Sequence, residues 1–396
     1  MTPAIIAHYH EIALKGRNRE MFERQLVENI RWAVRDVGGA RVQRMSGRIA
    51  IRTANAQTQQ TDLVQITDAL TRVFGIANIL IGHEVRQEYA ALAEDVVRVM
   101  TETIAASQGS TAITSFCVRV KRGNKQYPKN SMELERELGA AIVDATGLAV
   151  NLGHPDCTVY VEIVERTAFV FTRKLLGPGG LPVGVSGRVL CLISSGFDSP
   201  VAAWKLMRRG CIVDFVHFHS YPYTSDASLR NVEEIVGVLQ RWQQACGELY
   251  SIPLIEYQKQ VMMHAPSALR VLLYRRMMFR IAEQIAKRRG MGALVTGESV
   301  GQVASQTIPN IAAVEAVVDL PVLRPLIGED KQDIIAQAER IGTAEYSARP
   351  YDDCCSLFTP EHPATRARSE ELDAAEAPLD AKEWVTRLLA VPPAAS

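Results

Sequence analysis

Residues 190–202 read LCLISSGFDSPVA, and no other stretch constrains the fold as tightly. A short apolar run (Val189, Leu190, Leu192, Ile193) gives way to Ser194, Ser195, Gly196, Phe197, Asp198 and Ser199, then to a helical pattern that Pro200 is placed to start. A buried parallel strand reads as a continuous apolar run, and proline suits a first helical turn because its missing N–H would have no partner there. The order is strand, loop, helix, so the loop sits at a helix N-terminus. Unpaired N–H groups and the positive end of the helix dipole make such a loop an anion site, and small residues let phosphate oxygens approach the backbone. No lysine follows the glycine and no GxGxxG is present, so neither common nucleotide fingerprint applies. An ordinary Ser/Gly-rich turn between a strand and a helix has the same composition.

The loop resembles S-G-G-x-D-S, the pyrophosphate loop of ATP pyrophosphatases that cleave ATP to AMP and pyrophosphate, with Ser195 in place of the first glycine. Should that position require a positive φ, serine costs roughly 1–2 kcal/mol there. At 396 residues the chain exceeds the size at which a single core stops growing, about 250–300 residues, so two or three domains are expected. Acidic and basic residues balance at 44 each, so any nucleic-acid surface must be local. The seven cysteines lack a CxxC pair and are adjacent only at Cys354 and Cys355, which suits a reducing compartment. No signal-peptide pattern and no bilayer-length apolar run are present, so a cytoplasmic protein with no membrane partner is expected.

Residues 4–8 read as a strand and 19–37 as an amphipathic helix, since Phe22, Leu26, Ile30 and Val34 recur every fourth position. Residues 48–52 alternate like a half-buried strand, completing a small α+β unit over 1–60. Between strand and helix, Lys15 and Arg17 crowd a glycine in EIALKGRN, a loop that taken alone reads as a solvated basic turn. The polar run 54–61 marks a boundary, and a second α+β unit over 61–166 follows, with helices at 63–74, 92–104 and 132–145 and strands at 76–84, 115–122, 158–162 and 168–172. In it Arg119, Lys121, Arg122, Lys125 and Lys129 form a basic run, with Arg119 and Lys121 on one face of a strand. A charge run is usually a solvated face. Two such loops ahead of a nucleotide site also fit a surface that follows a phosphodiester backbone.

Residues 175–187, dense in Gly and Pro, read as a linker to a third domain at 175–366. There apolar strands (189–193, 212–218, 252–255, 293–296) alternate with helices (201–208, 229–246, 268–289, 331–341). The alternation predicts a doubly wound parallel sheet with its ligand beyond the strand carboxyl ends, where His217, Phe218 and the Thr296-Gly297-Glu298 loop fall. The acidic, Ala/Pro-rich residues 367–396 read as a loosely held tail, with a short helix near 384–389.

Eight blocks then appear in order: EIALKGRNREMFE, VKRGNKQYPKNSMELERELGAAI, CLISSGFDSPVAAW, VHFHSYPYTS, LLYRRMMFRIAEQIA, TGESVGQVASQT, RPLIGEDKQDII and YDDCCSLFTPEHPATR. Together they resemble the tRNA 4-thiouridine synthetases, ATP-dependent tRNA uracil 4-sulfurtransferases of the thiamine-biosynthesis (ThiI) type. The resemblance implies an N-terminal ferredoxin-like domain, a THUMP RNA-binding domain and a PP-loop ATP pyrophosphatase domain. It implies ATP contacts at Leu192, Ile193, His217, Phe218, Arg275, Gly297 and Gln306, joined in the loop by Ser194, Gly196 and Ser199. Asp198 suits catalysis with Mg²⁺, whereas Asp330 and Lys331 also read as a helix cap and an exposed first-turn lysine. The basic runs (Lys15, Arg17, Arg119, Lys121, Arg122, Lys125) become expected tRNA contacts.

The implied reaction converts the uridine at tRNA position 8 to 4-thiouridine through an adenylated base and a cysteine persulfide. Cys355 aligns with the family's reactive cysteine and Cys354 stands beside it. Some relatives carry a C-terminal rhodanese domain, for which too few residues follow Arg366, so a cysteine desulfurase is the expected sulfur donor. The resemblance also implies a homodimer and sulfur supply to the thiamine thiazole sulfur-carrier protein. Two rivals share the loop. Another PP-loop adenylating synthetase leaves the residues before the linker unused, and an RNA-binding protein with a decayed nucleotide site is supported only by Ser195.

Overall fold

The computed structural model describes residues 1–37, 40–53, 60–107, 112–350, 358 and 360–390, which fall into two units, Met1–Pro182 and Val183–Ser396. The first unit runs β1 (Thr2–His8), α1 (Arg19–Ala33), β2 (Ala40–Met45), β3 (Arg48–Thr53), α2 (Gln60–Leu70), β4 (Asn78–Val85), α3 (Tyr89–Ser107), β5 (Ser115–Arg122), α4 (Ser131–Thr146), β6 (Ala149–Val150), β7 (Cys157–Val164) and β8 (Thr167–Leu176). Its strands form one sheet in the order β2-β3-β1-β4-β8-β7-β5-β6. β1 is antiparallel to both β3 and β4, while β5 runs parallel to β6 and β7.

The four-residue spacing of α1 buries Leu26 and Ile30 against Ile5, Ile49 and Ile79. α3 and α4 cover the other end of the sheet, where Leu92, Val96, Leu134 and Leu138 meet Phe116, Val118, Val159 and Val161. The central strands are apolar on both faces because Ala4, Ile6, Leu80, Phe169 and Phe171 form a further cluster, as expected of a strand read as a continuous run.

Two sequence expectations differ here. The boundary expected near residue 60 falls before α2, yet Ile66 and Leu70 of α2 share a core with α1 and β1. A polar connection within a lobe looks like a linker in sequence, since both are solvent-facing. β2 has no sequence signal because only Val42 and Met45 of its six residues are buried. The Gly/Pro stretch is also not a free tether at its start. Gly177 and Gly179 donate to the carbonyls of Ala77 and Ile76 at 3.0 and 2.8 Å. A Cβ at Gly177 would lie 2.3 Å from the Ile76 oxygen, so only glycine permits this approach.

The second unit runs β9 (Arg188–Leu192), α5 (Asp198–Arg208), β10 (Ile212–His219), α6 (Ala227–Gln240), β11 (Leu249–Pro253), α7 (Ile255–His264), α8 (Arg270–Arg288), β12 (Leu294–Val295), α9 (Ile308–Glu315), β13 (Val322–Leu323), α10 (Lys331–Ile341), α11 (Ala344–Ser347), α12 (Ser369–Glu376) and α13 (Ala381–Leu389). All five strands are parallel, in the order β11-β10-β9-β12-β13. The chain therefore winds outward from β9 in both directions, and its topological switch point lies between β9 and β12. α5 and α6 pack on one face and α8 on the other, α8 burying Leu273, Met277 and Ile281 against Leu190, Val216 and Leu294.

The loosely held tail is corrected by the structure. Leu372, Leu379 and Leu388 are buried in the core built around α8. The acidic residues are counter-ions: Asp373 and Glu376 lie 2.6 and 3.0 Å from Arg276, which is itself 2% exposed. Three leucines spread over two short helices and the turn between them give no readable period, and acids paired with buried arginines look in sequence like a solvated run. Leu372→Ala is expected to cost about 2–5 kcal/mol, read as an earlier chemical-denaturation transition. An unchanged transition would return these helices to the status of a tail.

Candidate functional site

The loop between β9 and α5 opens at the carboxyl edge of the sheet, beside the switch point. The N-cap of α5, Phe197, makes no side-chain capping bond, so the first-turn N–H groups are not claimed by a cap. The loop and the first residues of α5 line a cavity of about 650 Å³. Every residue implied as an ATP contact lines it: Leu192 at the end of β9, Ile193, Ser194 and Gly196 in the loop, Ser199 in the first turn of α5, His217 and Phe218 from β10, Arg275 from α8, Gly297 and Gln306 beyond β12. Asp198 lines it as well, and Val271, Leu272, Met278 and Phe279 supply an apolar wall.

Within the loop, Ser194 N donates to Ser199 Oγ at 2.8 Å and Gly196 N to Ser194 Oγ at 3.4 Å. The strain expected if Ser195 had a positive φ does not arise, because its backbone stays outside the left-handed region. Gly297 is required sterically. A Cβ there would lie 2.6 Å from Ser199 N and 2.7 Å from the Asp198 carbonyl carbon, so the strand-end loop can press against the start of α5 only without a side chain. Gly297→Ala is expected to push the two loops apart and weaken ATP binding at least tenfold, as read by calorimetric titration; wild-type affinity would contradict this packing.

Charged groups at the cavity form two chains. Lys331 Nζ lies 2.6 Å from Asp198 Oδ1, and Gln302 donates to Asp198 Oδ2 at 3.0 Å. Asp330 takes the capping role, accepting from Gln332 N at 2.8 Å, while Lys331 turns inward. In the second chain Glu298, 3% exposed, pairs with Arg275, with Arg324 Nε at 2.8 Å and with the Thr296 hydroxyl at 2.8 Å. Burial would raise the pKa of the Glu298 carboxyl, but the two guanidiniums and the hydroxyl outweigh it and hold it below the usual range. Glu298 falls in the strand-end loop that the parallel-sheet pattern marks, but its place between two guanidiniums, and the roles of Arg324 and Gln302, carry no such mark. The blocks TGESVGQVASQT and RPLIGEDKQDII contain all three residues, but pairings made only by folding have no sequence signature. Among the described residues no cluster of three His, Cys, Asp or Glu could cage a metal. One carboxylate beside a helix N-terminus fits Mg²⁺ held chiefly by triphosphate oxygens.

The expected tRNA contacts lie in the first unit. Arg119 and Lys121 are exposed on one face of β5, alternating with buried Val118 and Val120, as the pattern requires. Lys125 and Arg17 are exposed, and Lys15 is half-buried near the Phe22 ring, 3.4 Å from Glu11. Arg122 is instead structural in part, donating to the carbonyls of Lys129 and Tyr127 at 2.9 and 3.3 Å and holding their loop. Lys129 is neutralised by Glu137 at 2.6 Å. The turn joining β2 and β3 lies between the two basic loops. A Cβ on Gly47 would be 3.9 Å from Arg19, and a Cβ on Gly123 would be 3.9 Å from Arg48.

Cys354 and Cys355 lie outside the described residues. Their flanks are described and meet the cavity: Ser347 Oγ donates to Gly196 O at 3.2 Å, and Pro363 and Ala364 line the wall. Cys191 is fully buried beneath the loop and Cys211 is buried near Ser186 O, with burial pushing both thiols up.

Three family descriptions match the chain: "ThiI ferredoxin-like domain" over residues 4–79, "THUMP domain" over 87–173 and "Thiamine biosynthesis protein (ThiI)" over 184–380. The chain is 40% identical over 386 residues to a probable tRNA sulfurtransferase of Caldanaerobacter subterraneus subsp. tengcongensis, covering 97% of each chain. It is 38% identical over 392 residues to a probable tRNA sulfurtransferase of Coxiella burnetii, covering 98% of this chain and 97% of that one. It is also similar, with a TM-score of 0.86 and 35% identity over 98% of each chain, to a 4-thiouridine synthetase solved as an RNA complex with bound ATP.

Proposed function

Because the chain belongs to the ThiI family of tRNA sulfurtransferases, we propose that it adenylates the uridine at tRNA position 8 and replaces the C4 oxygen with persulfide sulfur, making 4-thiouridine. ATP-dependent thiolation of tRNA is the family activity. The observation that supports its location here is the cavity at the sheet's carboxyl edge, which gathers the ATP contacts implied by the resemblance.

A uracil carbonyl oxygen leaves poorly, so it is first made into a phosphate ester. O4 attacks the α-phosphorus, the O4–P bond forms, and the bond to the β-phosphate breaks as pyrophosphate departs. The N-terminus of α5 and the loop amides receive the pyrophosphate charge, Arg275 faces the phosphates, and Lys331 exchanges Asp198 for phosphate oxygen. Mg²⁺, arriving with the triphosphate, adds charge neutralisation, and Asp198 is the carboxylate that would hold it. Sulfur then attacks C4 and AMP leaves. A cysteine desulfurase supplies the persulfide, and Cys355 accepts it. The test is pyrophosphate release from ATP: release that requires tRNA and accompanies thiouridine supports the reading, and release with a small-molecule acceptor but not tRNA sinks it. The thiamine thiazole sulfur-carrier protein is a second acceptor of the same persulfide, and the protein works as a homodimer, which sedimentation checks.

tRNA is held mainly through phosphates by the exposed basic residues of the first unit. Arg119→Glu with Lys121→Glu should weaken tRNA binding and flatten the dependence of log K on log salt by about one unit for each phosphate no longer neutralised. Arg122 is left intact because it braces its own loop. A slope equal to the wild type would place the RNA elsewhere.

A further inference from the structure

Ser195 stands where the pyrophosphate-loop pattern has its first glycine, and it is completely buried. Its hydroxyl reaches across to the start of α6, 3.1 Å from Ser228 O and 3.3 Å from Ser228 Oγ. Ser228 Oγ in turn lies 3.0 Å from His217 Nε2, and His217 Nδ1 lies 3.0 Å from the carbonyl oxygen of Ile193. The protons in this chain follow from the acceptors. A carbonyl can only accept, so Nδ1 carries the proton and Nε2 is left as an acceptor in the neutral ring. Ser228 must then donate to Nε2, and the single Ser195 proton is shared between the Ser228 carbonyl oxygen at 3.1 Å and the Ser228 Oγ lone pairs at 3.3 Å.

The donors thus run one way, from Ser195 to Ser228 to His217 to Ile193, and Ile193 is two residues before Ser195. The chain closes on itself around the first peptide units of the loop. It ties together the ends of β9 and β10 and the N-terminus of α6, and every hydroxyl and imidazole in it is buried. A glycine at position 195 could not join it.

We propose that Ser195 and Ser228 are positioning residues that set the loop in its ATP-binding conformation before the nucleotide arrives. The inference rests on the reading of this cavity as the ATP site. Ordering a free loop opposes binding through lost conformational entropy, and a loop already held avoids that loss. The hydrogen-bonded ring touches no reacting atom, so its effect falls on ATP affinity rather than on the chemical step. Both nitrogens of His217 are engaged in the ring, which leaves its carbon face and backbone as what it presents to the nucleotide.

The experiment measures ATP binding by calorimetry and AMP formation with tRNA in the full-length protein. Wild-type binding tests the site reading by itself: no ATP binding there would remove that reading, whatever the variants do. Given binding, Ser195→Gly and Ser228→Ala should each raise the ATP Kd and KM about fivefold, the loss of one buried hydrogen bond, with kcat at saturating ATP unchanged. Ser228→Thr, which keeps the hydroxyl, should restore affinity. The double variant Ser195→Gly/Ser228→Ala should be no weaker than the weaker single, because both act through one chain. An ATP Kd for Ser195→Gly within twofold of wild type would overturn the proposal, as would losses that multiply in the double variant or a fall in kcat at unchanged KM.

Discussion

Asp198→Ala is expected to reduce AMP formation by about 10²–10³-fold or more while leaving tRNA binding and its salt dependence intact. Two functions converge on this carboxylate. It sits in the first turn of α5, where negative charge is favoured by the helix dipole and where Mg²⁺ bound to the triphosphate would need a protein oxygen. It also holds Lys331 at 2.6 Å and accepts from Gln302 at 3.0 Å, keeping the lysine over the loop until phosphate replaces it. Loss of the side chain would therefore remove the carboxylate proposed to hold Mg²⁺ and leave Lys331 without its ion-pair partner. Lys331→Met should also slow adenylation, but through weaker ATP and pyrophosphate binding, so its KM for ATP should rise where that of Asp198→Ala need not. Radiolabelled AMP formation with tRNA present decides the matter. Normal turnover by Asp198→Ala would show that the cavity binds nucleotide without using this end of the helix.

The loop was legible because strand, anion site and helix start each leave a local mark: the run ending at Ile193, the small residues from Ser194 to Ser199, and Pro200. The strand-end positions of His217 and Gly297 beside the cavity follow from the topological rule for parallel sheets, once alternation implies such a sheet. Partners brought together only by folding left no such mark. Glu298 is set by guanidiniums 23 and 26 positions away, and Arg276 by acids 97 and 100 positions away. Lys331 was ambiguous for a local reason. The residue before it does cap α10, so a first-turn lysine looked like ordinary helix dressing until its inward contact with Asp198 was seen. α2 shares a core with α1 and β1 across a polar connection that reads as a boundary, because hydrophilicity marks exposure, and exposure does not distinguish a connection within a lobe from one between domains.

Cys355→Ser should bind ATP and tRNA normally and still adenylate, but make no thiouridine when a cysteine desulfurase is the donor. The residue's role rests on its block, DDCCSLFTP, and on the anchoring of what surrounds it. Ser347 is bonded to the loop carbonyl of Gly196, and Ala364 is fixed on the other side by Ala268 O through its N–H at 3.0 Å and by Asn310 through its carbonyl at 2.8 Å. Cys355 is eight residues from Ser347 and nine from Ala364. In the proposed transfer, the terminal persulfide sulfur bonds to C4 and AMP departs. A second thiol then cleaves the S–S bond, releases thiouridine and leaves a disulfide to be reduced. Cys191 and Cys211 are poorly suited to supply that thiol, because burial opposes ionisation of both and the thiolate is the attacking form. Cys191→Ala and Cys211→Ala proteins that fold should therefore thiolate at nearly the wild-type rate, leaving Cys354 as the neighbour to test. Free sulfide should partly rescue Cys355→Ser if the cysteine only delivers sulfur. Normal thiouridine in tRNA from cells whose sole copy is Cys355→Ser would shift the acceptor role to Cys354.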